Sequence, residues 1–221
     1  MVSKIICQGL AAGKKPGTRI GAVVMNANPF TLGHQYLLQQ ASEACDYVHV
    51  FVVSEEASPI PFKVRYALVQ KGSAQFKNLI YHPTGNYIIS SATFPSYFLK
   101  DDELVIESQA ALDVKVFTKI AAVLGINHRF VGEEPFSVVT SIYNKVMKEA
   151  LQKNGILYTE ISRKTGEDGP ISASKIREKI KKRSIEEIKR DVPISTYEFF
   201  TSPQANPIIA KIRALKDVIH Y

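Results

Sequence analysis

Apolar positions fall into two rhythms along this chain. Short unbroken runs, IGAVVM over 20–25 and YVHVFVV over 47–53, are Val-rich and end at turn residues. That pattern predicts strands of a parallel sheet, buried on both faces. Shorter runs predict further strands at 78–82 (NLIYH), 87–91 (YIISS), 128–132 (HRFVG) and 156–162 (ILYTEIS). Between them the apolar residues recur every three to four positions, which predicts helices over 33–45 and 61–75, the second with Phe62, Tyr66 and Val69 on one side. A long amphipathic helix lies within 103–125 and stops at Gly125; another covers 137–155 and stops at Gly155. A helix opens at 171–183 after the GEDGP loop, and the tail, 184–221, reads as helical with breaks at Pro193, Pro203 and Pro207. Strand alternating with helix predicts an α/β domain on a largely parallel sheet. Such sheets bind ligands at the carboxyl ends of their strands. The expected division is a flexible lead over 1–19, the α/β domain over 20–191 and a helical extension over 192–221.

Composition narrows the class. Hydrophobic residues make up 45% of the chain, with eleven Phe and ten Tyr, enough for a large core. No apolar run approaches the roughly 20 residues of a membrane span, and the opening MVSKIICQGLAAGKK is not a signal peptide. The two cysteines, Cys7 and Cys45, make neither a disulfide framework nor a zinc site. Cys45, at a helix end, reads as a buried free thiol. These features together predict a cytoplasmic protein with no membrane partner. The net charge of +7 is uneven, for residues 163–190 hold ten Lys/Arg against five Asp/Glu. No aromatic residue falls between Arg163 and Ile194, so no stacking platform accompanies that charge. The reading is a basic face beside an anionic small molecule, with no nucleic acid.

The chemistry concentrates in MNANPFTLGHQYLL, Met25 to Leu38, where the first strand turns into the first helix. A helix start offers unpaired backbone N–H groups and the positive end of the dipole, a natural phosphate site. Gly33 has no Cβ to hold a ligand off the backbone. Thr31 either caps the helix or gives its hydroxyl to a phosphate, and His34 either packs or donates to one. A second stretch, ISASKIR over 171–177, also follows a strand and opens a helix. Ser172 and Ser174 suit a cap, and Lys175 and Arg177 suit a polyphosphate. Two phosphate-suited helix starts on one parallel sheet suit one nucleoside triphosphate held between them. Other classes are not supported: GxGxxG is missing after the first strand, GLAAGKK (9–15) is one residue short of a P-loop and lacks its Ser/Thr, and there is no HExxH or Cys pair for a metal.

TLGH with ISASKIR is similar to the (H/T)xGH and ISxSxxR pair of the HIGH-type nucleotidyltransferases, whose sheet is Rossmann-like. Within them, MNANPFTLGH, SATFPSYFLK, RFVGEEP and ISASKIR together resemble the citrate lyase ligase family over roughly residues 19–196. The resemblance implies ATP-dependent, AMP-forming activation of acetate. It further implies transfer of the acetyl group to the thiol prosthetic group of the citrate lyase acyl-carrier subunit. ATP would be the cofactor, with Mg²⁺ bound mainly through its phosphates and no metal held by the protein itself.

Carried over by position, Thr31, His34 and Arg177 are the catalytic candidates. Asn26, Ala27, Asn28, Phe30, Gly33, Gly132, Glu133, Ser172, Ser174 and Lys175 are the candidates for ATP. Asn28 takes the place usual for Asp or Asn before the motif's Pro. Glu133 either meets adenosine or Mg²⁺ or caps the next helix. Lys63, Arg65 and Arg163 are candidates for substrate or phosphate, against plain solvated charges. Ser91, Thr93, Tyr97 and Lys100 either shape an acyl or carrier pocket or form a packed crossover. Two features depart from the pattern. Met25 stands where the superfamily often has Gly. Only nineteen residues precede the first strand, where the family carries an acetyltransferase-like N-terminal domain. The alternatives are an adenylyltransferase acting on a phosphorylated metabolite, of the pantetheine phosphate or nicotinamide mononucleotide type, and an inactive nucleotide-binding module.

Overall fold

A computed structural model describes residues 18–97, 102–134, 137–182 and 184–215. The lead expected over 1–19 lies, up to residue 17, outside the described residues, as do residues 216–221 of the tail. The chain runs β1 (Ile20–Met25), α1 (Leu32–Ala44), β2 (Tyr47–Val52), α2 (Phe62–Gly72), β3 (Leu79–Pro83), α3 (Glu103–Leu124), β4 (His128–Gly132), α4 (Val138–Lys153), β5 (Leu157–Ile161) and α5 (Ala173–Lys181). A short hairpin, β6 (Thr165–Gly166) with β7 (Gly169–Pro170), precedes α5. Two further helices follow, α6 (Ile194–Thr201) and α7 (Asn206–Ala214).

The five strands β1 to β5 form one parallel sheet in the order β3-β2-β1-β4-β5. Their side chains alternate between two cores, as strand geometry requires. Val23 and Met25 of β1 and Val48, Val50 and Val52 of β2 pack with α1 and α2. Ala22 of β1 and Phe51 of β2 face the other way, into the layer of α3 and α4. That double burial is why the first two strands read as unbroken apolar runs. Cys45 is buried on the α1 side, and burial pushes its thiol up to about 11. A third cluster joins Ile60 to α5, α6 and α7 through Ile176, Ile180, Phe200 and Ile209. No helix among the described residues is long and apolar enough to cross a membrane.

The chain leaves β1 toward β2 and β3 on one side and returns to β4 and β5 on the other. The carboxyl ends of β1 and β4 therefore flank a topological switch point, where the loops part and leave a crevice.

One predicted strand is absent. YIISS, 87–91, is a loop. Ile88 and Ile89 are buried, but Ile89 sits at φ 47°, and its N–H donates to Asp113 Oδ1 at 2.7 Å. The Ser90 carbonyl accepts from Thr93 and Phe94, closing a turn. The run is apolar because it plugs the core beside α3, and a buried carboxylate replaces the ladder partner.

Candidate nucleotide site

The turn after β1 is held from inside. Ala27 adopts the left-handed region at φ 51°, a cost of order 1 kcal/mol for a residue with a Cβ. The Asn28–Pro29 peptide is cis. Phe30 is fully buried against Gly72, where an added Cβ would stand 2.6 Å from its ring. Its ring also stacks on His34, at 5.7 Å between centroids. Phe30 thus anchors the turn instead of facing a ligand.

Thr31 and His34 form a reciprocal cap at the start of α1. Thr31 Oγ1 accepts from the His34 N–H at 3.3 Å, and His34 Nδ1 accepts from the Thr31 N–H at 3.1 Å. A backbone N–H can only donate, so Nδ1 carries a lone pair and Nε2 carries the proton. Burial, with the Arg163 charge second, lowers His34 to about 4. The ring is neutral near pH 7, and it lines the cleft as an Nε2–H donor. The first-turn amides are largely spent, for Leu32 N–H donates to the Asp191 carbonyl at 2.8 Å and His34 N–H to Thr31. The Gly33 N–H is the first-turn amide with no acceptor among the described residues.

The second helix start lies against the first. Ser172 caps α5, accepting from the Lys175 N–H at 3.2 Å, and its hydroxyl meets Ser174 Oγ at 3.0 Å. A Cβ on Gly33 would stand 3.3 Å from the Ile171 carbonyl, so glycine permits this approach of one motif to the other. Arg177 is buried, and its Nη1 donates to the Asn28 carbonyl. Lys179 bridges Asp168 at 3.0 Å and Asp191 at 2.8 Å. Much of the basic excess of 163–190 thus holds the two motifs and the hairpin together.

The facing wall comes from the ends of β4 and β5. Gly132, Glu133 and Glu134 line it. Arg163 donates from Nε to the Glu133 carbonyl at 2.9 Å and pairs with the Glu134 carboxylate. Sequence reasoning missed three residues here. Ser137 caps α4, accepting from the Thr140 N–H at 3.2 Å, and so brings a third helix start to the cleft. Its signal was visible, a serine just ahead of a periodic apolar run. Lys164 and Tyr36 also line the cleft, with the ammonium 6.0 Å from the ring centre; no local pattern marks them.

Asn28 is 3% exposed, and both its amide atoms lack a hydrogen-bond partner. An orphaned donor and acceptor at a cleft wall cost stability and invite a ligand. The Asn26 amide, by contrast, pairs with Ser58 at 3.3 Å.

Several candidates lie elsewhere. Arg65 is fully buried and donates to the carbonyls of Ile60, Asn26, Val53 and Glu55, so it is a brace for the loops after β1 and β2. Lys63 is exposed on α2 and outside the cleft lining. Lys175 Nζ donates to the Asp168 carbonyl at 3.0 Å, also outside it. The Ser91 N–H meets Glu55, and Thr93 Oγ1 donates to buried Asp113, which makes that stretch a packed crossover. The Tyr97 side chain and Lys100 lie outside the described residues. Among the described residues no three His, Cys, Asp or Glu side chains are grouped to hold a metal ion.

This strand order, with capped helix starts meeting at the switch point, defines a Rossmann-like α/β fold. Its backbone superposes on a bifunctional NMN adenylyltransferase/ADP ribose pyrophosphatase from Francisella tularensis with a TM-score of 0.54, at 14% identity, over 87% of this chain and 52% of that one. It also superposes on Thermotoga maritima TmcAL, solved with alpha-thio ATP, with a TM-score of 0.51, at 15% identity, over 83% and 55% of the two chains. The sequence is more specific. Residues 20–200 match the model of the citrate lyase ligase C-terminal domain, and the chain belongs to that family. It is 41% identical to a [citrate [pro-3S]-lyase] ligase of Klebsiella pneumoniae over 198 residues, 87% of this chain, and spans 58% of that relative's length.

Proposed function

We propose that this chain carries the adenylate-forming half of a citrate lyase ligase. An acetate oxygen attacks the α-phosphorus of ATP, the bond to the bridging oxygen breaks, and pyrophosphate leaves from acetyl-AMP. The acetyl group then passes to the thiol prosthetic group on the citrate lyase acyl-carrier subunit. The observation that carries this reading is the convergence of the Thr31–His34 and Ser172–Ser174 helix starts on one cleft, locked by Arg177 on the Asn28 carbonyl.

The chemistry asks for positioning and charge stabilisation, not for a strong base, because acetate arrives ionised. His34 donates from Nε2 to the phosphate oxygens without adding a charge, and Thr31 holds the ring to that task. Gly33 offers its amide, and Ser172 and Ser174 serve the β- and γ-phosphates. Arg177 supplies positive charge beside the Asn28 turn. Mg²⁺, bound to the ATP phosphates, would neutralise charge on the departing pyrophosphate. The cytoplasm, where a thiol acceptor stays reduced, is the matching compartment.

The test is pyrophosphate release from ATP and Mg²⁺, with and without acetate, with hydroxylamine as the trap. Acetate-dependent release with acetohydroxamate is the expected result. Saturable ATP binding without release would overturn the reading.

A further inference from the structure

The two edges of the sheet are finished differently. β3, the outer strand on one side, ends in Pro83, which has no N–H to offer a further strand. β5, the outer strand on the other side, reads LYTEI and holds no proline. Its ladder to β4 uses every second residue. The Leu157 N–H donates to the Asn127 carbonyl, and the Ile161 carbonyl accepts from the Glu133 N–H, each at 2.9 Å. The residues between, Tyr158 and Glu160, turn their N–H and C=O groups outward. Among the described residues no backbone group meets them. Leu157 is 64% exposed although it sits in the sheet. An open edge with an exposed leucine is a ready surface for another strand.

The edge is complementary to itself. Turned about a two-fold axis at Thr159, a second β5 runs antiparallel to the first. Tyr158 then exchanges both backbone hydrogen bonds with Glu160 of the second copy, and Glu160 does the same with Tyr158 of that copy, so every outward group is used. Leu157 falls opposite Ile161 of the second copy, apolar on apolar. Ile161 also lines the nucleotide cleft, so the pairing covers the outer flank of that wall.

Charge and spacing agree with this. A groove lies between α4 and β5, with Lys145 and Lys148 on the helix side and Glu134, Tyr158 and Glu160 facing them. Two lysines stand against two glutamates, a near-neutral surface that favours neither an anion nor a cation but fits a copy of itself. Glu134 is paired with Arg163 and lines the nucleotide cleft as well. Lys145 and Lys148 are exposed, and neither has an ion-pair partner among the described residues. Tyr158 packs on the α4 face, and Glu160, two residues on, shares that face. In the antiparallel pair each Glu160 therefore stands beside Tyr158 of the second copy, under that copy's lysines. α4 connects β4 to β5 and packs Tyr143, Met147 and Leu151 into the core on the same face. With strands about 4.8 Å apart, two such helices lie roughly 10 Å from each other, the distance of a packed helix pair.

We propose that β5 is the interface of a two-fold dimer of this chain, its edges paired antiparallel about Thr159 into one continuous sheet with five strands from each copy. The pairing is independent of the chemistry in the cleft, and the two clefts open at opposite ends of the joint sheet.

Sedimentation velocity over a dilution series reads the assembly. The native chain should pass from monomer to dimer as concentration rises. E160K and K145E/K148E each set like charges against one another across the axis, and each should raise the dimer Kd about tenfold. An equal mixture of the two variants should recover the native affinity, because the mixed pair restores opposite charges on both sides of the axis. Hydrogen exchange on the native chain reads the edge without any variant. The outward amides of Tyr158 and Glu160 should slow as concentration rises, while that of Tyr81 on β3 keeps its rate. A chain that stays monomeric at every concentration overturns the dimer, and so does growth past two copies, since a two-fold contact closes on itself. A dimer whose Tyr158 and Glu160 amides exchange freely, or that neither charge variant weakens, overturns the β5 interface.

Discussion

His34 is set by its own helix cap. The Thr31 N–H takes Nδ1 and so decides the tautomer, while burial lowers the ring to about 4 and so decides the charge. His34→Ala should keep the fold and cut acetate-dependent pyrophosphate release by about 10²–10³-fold, the usual cost of one transition-state donor. The acid side of the stability curve has a definite sign. The unfolded ring takes its proton near 6.5 and the folded ring only near 4, so the His34 contribution is complete above about 6.5 and is lost as pH falls toward 4. Burial lowers His49 to about 4 as well, with the same sign. The difference between native and His34→Gln unfolding curves, taken across that window, isolates His34. At Asn28 the expectation runs the other way. Asn28→Leu, close in shape, removes two orphaned atoms and should raise the unfolding free energy by about 1 kcal/mol while weakening ATP binding about tenfold. Urea unfolding and an ATP titration on the same variant check both halves.

At the scale of elements, the loops that follow β1 and β2 are organised by one buried arginine. Arg65 starts from α2 and reaches four carbonyls in two loops, the arrangement of a brace where the sequence offered a phosphate ligand. Arg65→Met should lower the unfolding free energy by about 3 kcal/mol, since it strips the donor from several buried acceptors at once. Arg65→Lys should not rescue it, because one ammonium cannot span that set. A phosphate ligand would instead show weaker ATP binding at unchanged stability, so a urea curve decides between them. The loop over 87–91 teaches a related point. A five-residue apolar run predicts burial, but burial against α3 through the Asp113 carboxylate needs no strand.

At the scale of the molecule, the cleft is assembled from four separate junctions: after β1, after β4, after β5 and between the hairpin and α5. A ligand that bridges them binds the native state and not the unfolded chain. ATP with Mg²⁺ at a hundred times its Kd should therefore add about 2.7 kcal/mol of stability, read as a rise in Tm. Acetate alone touches too little of the cleft to do the same.

The chain's own order of residues determined its α/β class, because Val-rich runs and helix-period stretches bury themselves in only a few ways. It also marked the two phosphate-suited helix starts, because capping residues announce a helix start locally: Thr31 and His34 at one, Ser172 at the other. The same signal stood at Ser137. What the sequence could not decide is where a side chain goes after it leaves its own element. A local reading offers Arg65 and Arg177 to a phosphate but says nothing of the distant carbonyls both reach, 39 residues away for Arg65 on Asn26 and 149 for Arg177 on Asn28. Nor does any local pattern bring Tyr36 beside Lys164, or open the α4–β5 groove into the cleft at Glu134. Propensity and capping act over a few residues and are written in the sequence. The partners of long charged side chains are fixed only once the sheet order brings remote loops to one edge.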